Sequence, residues 1–147
     1  MAISLRSRGA VAKNPHGSLG LPTGDVFGLV GRLKSGLSFT TLVDFANNSG
    51  LMFAEISRVL RIPPRTLARR KSGGKLNALE SERLARLAEL FDRAVELFEG
   101  DAGAALAWMR APSKALGKLS PLTLAETEQG ARAAEDLIGR LEYGVYS

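Results

Sequence analysis

The sequence predicts an all-α protein. Apolar residues recur every three or four positions through most of the chain, which is the spacing of one face of a helix. Glycine, proline and small polar residues divide these segments into lengths typical of short helices. No segment alternates apolar and polar residues strongly enough to indicate a half-buried strand. One domain or two small ones fit a chain of 147 residues.

Residues 1–24 are predicted to form a flexible arm, since they are rich in Gly, Pro, Ser and Asn and lack a periodic apolar face. Such a segment buries too little apolar surface to offset the entropy lost on ordering. We assign residues 25–75 to a first helical domain and residues 76–147 to a second one.

The first domain is predicted to begin with two short helices. One begins near Asp25 and stops at Gly36, with apolar residues at helical spacing between them. The next follows Ser38, a candidate N-cap whose hydroxyl can accept a hydrogen bond from the first turn. Gly50 lies just beyond its end, where glycine favours the left-handed backbone of a C-cap.

Two more short helices joined by a tight turn form the central motif. The first carries an apolar stripe within residues 53–60, and Pro63 prevents it from continuing. Pro64 suits the first turn of the following helix, which runs to about Lys71. Arg61 occupies the turn position where glycine is common. This arrangement is a helix-turn-helix pattern, and its packing residues are predicted to be Ile56, Leu60, Ile62 and Leu67, with the small Ser57 where the helices approach.

The charge is concentrated around this motif. The net charge of +5 divides into +3 for residues 1–50, +5 for residues 51–80 and −3 for residues 81–147. A polyanion therefore favours the first part of the chain, whereas a different kind of partner favours the acidic second part.

Six residues in and after the second helix of the motif are candidate DNA-binding residues. Leu67 is expected to point inward, so that the polar side chains spread over the outer faces. Arginine offers a planar fork that matches guanine edges and phosphate oxygens, and lysines at the helix end suit phosphate contacts. A solvated face, or ion pairs with Glu55 or Glu80, is the alternative interpretation. The candidates are Arg65, Thr66, Arg69, Arg70, Lys71 and Lys75.

The second domain is predicted to begin with a long helix. Asn77 and Glu80 have the spacing of a capping box, and the helix closes at Gly100. Asp92 and Glu96, one turn apart on this helix, are expected to be exposed acidic surface, and its aromatic residues to be core or dimer seam. Further helices follow the candidate caps Asp101 and Thr127, and Ser120–Pro121 begins another turn or two of helix. The last helix is predicted to end near Tyr143 and Gly144.

Several classes of function are excluded or disfavoured by composition. The chain has no cysteine, which excludes thiol catalysis, disulfides and thiolate metal sites. Its only histidine, His16, lies in the predicted arm, so most acid–base schemes and metal sites lack a ligand or a base. No apolar run is long enough to cross a membrane, and no signal peptide is recognised. We expect a cytoplasmic protein without catalytic activity, metal or cofactor.

From about Arg32 to Ser147 the sequence resembles the Xre/MbcA/ParS family of antitoxins. The matching stretches include "RTLARRKSGGKL", "ESERLARLAELFDRAVELF" and "AALAWMRAPSKALGKLSPLTLAETEQGARAAEDLIGRLEYGVYS". The chain departs from the family pattern at "LGK", where a double glycine is usual, and at "FEG", where Phe-Gly is usual. The more specific features lie in the second half, in the ordered set Trp108, Pro112, Leu116, Gly117, Pro121, Thr127, Gly130 and the terminal "RLEYGVYS".

The resemblance implies an antitoxin with two parts. Its first domain binds operator DNA and represses its own operon, and its second domain binds and neutralises a RES-domain toxin, an enzyme that consumes NAD. The family also implies a homodimer, with residues 76–147 serving as both the toxin-binding and the dimerisation domain, and no catalytic activity in this chain. The alternative hypothesis is a dimeric helix-turn-helix transcriptional regulator without a toxin partner.

The C-terminus is the candidate toxin-binding segment. If the last helix ends near Tyr143, the following residues project from it with a free carboxylate, and tyrosine supplies a large contact area with a polar tip. The alternative interpretation is that the terminus frays, as many termini do. The candidate toxin-binding residues are Glu142, Tyr143, Gly144, Val145, Tyr146 and Ser147.

Overall fold

In the computed structural model, residues 17–21 and 25–144 are described. The all-α prediction is confirmed within these residues, which contain eight α-helices, two short 3-10 turns (Gly17–Leu19 and Lys114–Leu116) and two isolated β-bridges. The helices are α1 (Val26–Ser35), α2 (Phe39–Ser49), α3 (Phe53–Leu60), α4 (Pro64–Gly73), α5 (Ala78–Leu97), α6 (Ala102–Arg110), α7 (Pro121–Leu124) and α8 (Glu128–Glu142).

The helices begin where local side chains satisfy the free N–H groups of the first turn. Asn77 and Glu80 form the predicted capping box, in which Asn77 Oδ1 accepts from the Glu80 N–H at 2.8 Å and Glu80 Oε1 accepts from the Asn77 N–H at 3.0 Å. The predicted caps Ser38, Asn77, Asp101 and Thr127 are confirmed. The side chains of Asp25 and Ser120 accept such bonds as well.

The long helix α5 is the centre of the fold. It packs against α1, α3, α6 and α8, so its apolar residues join both halves of the chain in one hydrophobic cluster. Phe91 and Val95 are buried in this core, and the ring of Phe91 meets that of Phe45 edge to face at a centroid distance of 6.2 Å. The boundary predicted between residues 75 and 76 lies just before α5.

The structure differs from the predicted arm at residues 17–21. Gly17–Leu19 form a 3-10 turn that packs on α2 and α5, and Leu19 is buried in the core. The backbone of Ser18 is held at both ends, because its N–H donates to Asp92 Oδ2 at 3.3 Å and its carbonyl accepts from Asn48 Nδ2 at 2.9 Å. This turn could not be predicted from local composition, because its partners Asn48 and Asp92 are distant in sequence. The rest of the arm, residues 1–16 and 22–24, lies outside the described residues.

The expectation of an exposed Asp92 is wrong. Its side chain lies against the 3-10 turn and is only 1% exposed. Burial raises the pKa of the Asp92 carboxyl to about 8, since it disfavours the charged form more than the hydrogen bonds from Ser18 and Gly17 favour it, and nearby Glu96 adds to the rise. Glu96, one turn away, is exposed as predicted.

We predict that stability falls as the pH rises from about 6 to about 8, because the folded chain keeps a proton on Asp92 that the unfolded chain has lost near its ordinary pKa of about 4. The pKa values of Glu55 and Glu80 are lowered, so these groups are ionised in both states over this window, whereas the raised pKa of Glu135 gives a contribution of the same sign as that of Asp92. The slope from Asp92 is up to about 1.4 kcal/mol per pH unit. Urea unfolding checks it: Asp92→Asn is expected to flatten the profile, and Asp44→Asn, at an exposed carboxyl, is expected to leave it unchanged.

Two absences hold for the described ranges, 17–21 and 25–144. None of their helices combines the length and apolar composition that a membrane crossing requires. Nor do three or more histidine, aspartate or glutamate side chains converge there in a way that could hold a metal ion.

Candidate functional site

The turn between α3 and α4 shows how this sequence builds a helix-turn-helix. Arg61 takes the left-handed conformation (φ 60°) that glycine usually supplies there, and its N–H donates to the Arg58 carbonyl at 3.1 Å. The Ile62 N–H donates to the Ser57 carbonyl at 2.9 Å, and the Ile62 side chain is buried. These bonds satisfy the last carbonyls of α3, and the buried isoleucine holds the turn closed.

Helix α4 is held to the protein by few of its side chains. None of its residues is fully buried, and Leu67 is partly buried against the core, as predicted. Arg65, Arg69 and Ser72 follow one another at spacings of four and three residues, so they form one stripe opposite Leu67. Both arginines are exposed. The stripe therefore presents two guanidinium groups on the outer face of the second helix of the motif.

Arg70 takes part in a different interaction. Its Nε donates to Glu80 Oε1 at 2.8 Å and its Nη2 donates to Glu80 Oε2 at 3.1 Å, a two-pronged ion pair between α4 and the start of α5. Burial raises the pKa of Glu80, but the bonds from Arg70 and Asn77 outweigh it and hold that pKa below its ordinary value. For Arg70, the structure therefore shows the ion pair with Glu80 that the sequence offered as the alternative to an exposed DNA-binding arginine.

The remaining predicted DNA-binding residues flank the stripe. Thr66 is partly exposed, and Lys71 and Lys75 are exposed at and beyond the end of α4. The backbone of Lys75 forms an isolated bridge with Ser38 at the start of α2. With Arg65 and Arg69, the exposed Lys71 and Lys75 make up the basic surface of α4 and the segment that follows it.

Contacts from the second half of the chain hold α3 in place. Arg110 on α6 donates to both carboxylate oxygens of Glu55 at 2.9 and 2.8 Å, and these bonds lower the pKa of Glu55. Arg83 Nη1 on α5 donates to the Leu60 carbonyl at 3.1 Å, at the end of α3. Sequence analysis missed both contacts because the partners are 55 and 23 residues apart, and no local pattern links them.

The start of α8 requires a glycine. A Cβ atom at Gly130 would lie 2.0 Å from the carbonyl oxygen of Leu124, the last residue of α7, so only glycine permits this approach. The Gly130 N–H also donates to Thr127 Oγ1 at 3.0 Å. Thr127 and Gly130 therefore set the corner from which α8 runs toward the C-terminus.

The other residues of the specific set have structural places as well. Pro121 opens α7, and Gly117 takes a left-handed conformation (φ 69°) after the second 3-10 turn. Leu116 is buried, and Trp108 is partly buried against the core. These positions therefore contribute to turns and packing in the second half of the chain.

The described part of the predicted C-terminal segment, residues 142–144, is exposed at the end of α8. Tyr143 is 84% exposed, and Gly144 has the left-handed backbone (φ 70°) that was predicted for the helix end. Glu142 Oε1 lies 3.7 Å from Arg93 Nη2 on α5, which makes them an ion pair. Tyr143 also borders a shallow cleft of about 440 Å³ between α5 and α8. Val145, Tyr146 and Ser147 lie outside the described residues.

These features define a class of protein. A short helix with exposed arginines follows a tight turn, and a long helix joins this motif to a second helical unit with an exposed aromatic end. This is the architecture of a helix-turn-helix protein with an additional C-terminal unit.

Comparison with known proteins identifies the family. Residues 28–89 match the antitoxin Xre-like helix-turn-helix domain, and residues 93–144 match the antitoxin Xre/MbcA/ParS C-terminal toxin-binding domain. A protein named antitoxin Xre from Yersinia enterocolitica serotype O:8 / biotype 1B is 45% identical over 130 residues, or 88% of each chain. Another antitoxin Xre, from Photorhabdus laumondii subsp. laumondii, is 38% identical over 131 residues and likewise covers 88% of each chain.

The chain therefore belongs to the Xre/MbcA/ParS family of antitoxins, and the resemblance found in the sequence is confirmed. The two domain matches meet within α5, between residues 89 and 93. This position agrees with the role of α5 as the element shared by both halves of the core.

Proposed function

We propose that this antitoxin binds and neutralises a RES-domain toxin that consumes NAD, and that it represses its own operon as a homodimer. The match of residues 93–144 to a toxin-binding domain is the observation that carries this proposal. The protein acts by binding and not by catalysis. Because its operator DNA is in the cytoplasm, we place the protein there as well.

The basic surface of α4 supports the DNA-binding part of the proposal. Arg65 and Arg69 reach outward from one stripe, in the position from which a recognition helix reads base edges in the major groove. Thr66, Lys71 and Lys75 flank this stripe and suit phosphate contacts, which set register and salt dependence. Arg70 binds Glu80 and thereby holds α4 in its orientation. Its effect on DNA binding is therefore indirect.

The end of α8 supports the toxin-binding part. Tyr143 is 84% exposed, and tyrosine is enriched at interfaces because it combines a large apolar area with a polar tip. Gly144 has the left-handed backbone conformation that commonly ends a helix. We propose that residues 142–147 extend from this point into the toxin and that the terminal carboxylate occupies a site used by an anionic part of NAD.

Co-expression with the toxin encoded beside this chain tests the proposal. Expression of the toxin alone is expected to lower cellular NAD and stop growth, and this chain is expected to prevent both by forming a stable complex. If the neighbouring protein is harmless, or if this chain neither binds it nor protects the cell, the RES-toxin assignment fails. The chain would then be a dimeric helix-turn-helix regulator without a toxin partner.

Deleting residues 145–147 is expected to abolish protection while leaving the fold and DNA binding intact. The deletion removes Tyr146 and moves the carboxylate, but it lies beyond every described helix. Loss of one buried aromatic anchor typically weakens an interface by about 2 kcal/mol or more, or roughly 30-fold. Toxin affinity and cellular NAD are the measurements, with Leu119→Ala as a control at another exposed apolar residue. Unchanged protection by the truncated chain would contradict the role of the terminus.

A further inference from the structure

Helix α1 exposes an unusually apolar face. Phe27 is 90% exposed, Val26 66% and Val30 42%, and all three lie within the first half of one ten-residue helix. Leu29 and Leu33 lie on the adjoining side of the helix and line the junction with α5. A solvent-facing patch of three large apolar side chains on one short helix marks an interaction surface.

The same helix is basic at its end. Arg32 and Lys34 are exposed in its last turn, and residues 26–35 contain no acidic side chain. Val26, Val30 and Lys34 are four residues apart, so they share one stripe that runs from an apolar start to a cationic end.

An acidic cleft of about 470 Å³ lies directly beside α1, between α1, α5 and α8. Leu29 and Leu33 form one wall, and four glutamates and two arginines surround the cleft. Glu128 is neutralised by Arg132 at 2.9 Å, whereas the other three glutamates form no ion pair within residues 17–21 and 25–144.

Two of these glutamates repel each other. Burial raises the pKa of Glu135 on α8, and the negative charge of Glu89 on α5 raises it further, whereas the nearby Arg93 and Arg132 oppose the rise. Two carboxylates that face each other across a partly buried cleft are stabilised when a cation enters between them. The cleft is therefore suited to a basic side chain from a partner.

We propose that the exposed face of α1 and the adjacent acidic cleft form a two-fold interface between two copies of this chain. Val26, Phe27 and Val30 pack against the same residues of the second copy, and the cations at the end of α1 reach the glutamates of the other copy's cleft.

A second copy fits this surface because the surface complements itself. In a two-fold dimer the same patch meets itself, so each copy must present both members of every interaction. Here an apolar stripe, a pair of cations and an excess of carboxylates lie side by side on one face. This assignment deepens the homodimer of the proposed function by locating its interface, and it leaves the toxin-binding end of α8 outside that interface.

Chemical crosslinking tests the interface directly. The chain has no cysteine, so Phe27→Cys carries a single thiol at the centre of the proposed patch. A short bismaleimide is expected to link Phe27→Cys chains into dimers at micromolar concentration. Leu119→Cys, at a leucine outside the patch that is 47% exposed, is the control and is expected to remain monomeric on denaturing gels.

Sedimentation equilibrium gives the energetic test. The double variant Phe27→Asp/Val30→Asp is expected to raise the dimer Kd at least about 100-fold, because two apolar side chains per copy lose their buried partner surface. Lys34→Glu is expected to weaken the dimer and Glu135→Lys, added to it, to restore part of the loss. Leu119→Asp is expected to have no effect, and circular dichroism verifies that all variants are folded.

The outcomes separate this inference from the proposed function. A dimer that survives Phe27→Asp/Val30→Asp would place the interface elsewhere and overturn the inference while preserving the homodimer. A wild-type chain that is monomeric up to about 100 μM, well above usual dimer affinities, would overturn both. In each case toxin neutralisation by the double variant, measured separately, reports on the antitoxin assignment alone.

Discussion

Replacing Arg65 and Arg69 together by alanine is expected to weaken binding to the operator at least about 30-fold. Each arginine that reads a base edge contributes about 1–3 kcal/mol, and the two positions are one helical turn apart, so their effects add to about 2 kcal/mol or more. Both side chains are exposed on the outer stripe of α4, and neither pairs with a carboxylate among the described residues, so the loss arises from DNA contacts and not from unfolding.

Mobility shifts with the DNA upstream of the operon, at fixed salt, measure this effect. Lys114→Ala/Lys118→Ala is the matched control, because it removes the same charge from two exposed lysines in the second half of the chain. Its affinity is expected to change less than about threefold, since distant surface charges are screened over about 10 Å at 0.1 M salt. Equal losses in both double variants would mean that net charge, and not the α4 stripe, governs DNA binding.

Gly130→Ala is expected to destabilise the protein by about 2 kcal/mol. The new methyl group would lie 2.0 Å from the Leu124 carbonyl oxygen, a backbone atom that moves only with the α7–α8 corner. Overpacking of this kind lowers the free energy of unfolding by up to about 3 kcal/mol. The higher helix propensity of alanine offsets about 1 kcal/mol of this loss. We therefore expect the melting temperature to fall by about 4–8 °C for a domain of this size, and toxin binding to weaken because α8 shifts.

Gly139→Ala on the same helix is the matched control. Its Cβ atom would meet nothing closer than Arg93 Nη2 at 3.9 Å, which is an ordinary contact. Only the higher helix propensity of alanine over glycine then affects stability, so the melting temperature is expected to rise by about 2–4 °C. Calorimetry of both variants distinguishes the two cases, and an equal rise for Gly130→Ala would show that α7 and α8 separate without cost.

Local chemistry explains why so much of the fold could be predicted. A helix cap acts over three residues, so Asn77 and Glu80 identify the start of α5 without reference to the rest of the molecule. The two prolines after Ile62 likewise end one helix and begin the next. The exposed stripe of Arg65 and Arg69 follows from Leu67 pointing inward, which helical spacing alone indicates.

Long-range contacts explain the errors and the omissions. The sequence could not distinguish Arg70 from its neighbours, because a guanidinium group ten residues before Glu80 pairs with it only after α4 and α5 meet. Asp92 has the local pattern of an exposed acid, yet the 3-10 turn formed 74 residues earlier covers it. Gly17–Leu19 have the composition of an arm but gain buried partners on two distant helices.

By itself, the sequence determined the all-α class, the helix-turn-helix with its basic second helix, the helix caps and the family resemblance, because each depends on residues close together in the chain. Only the tertiary structure decided which cations remain exposed, which carboxyl is buried, why Gly130 must be glycine, and that α1 leaves an apolar face open beside an acidic cleft. These properties depend on distances between elements far apart in sequence, and those distances exist only once the helices pack around α5.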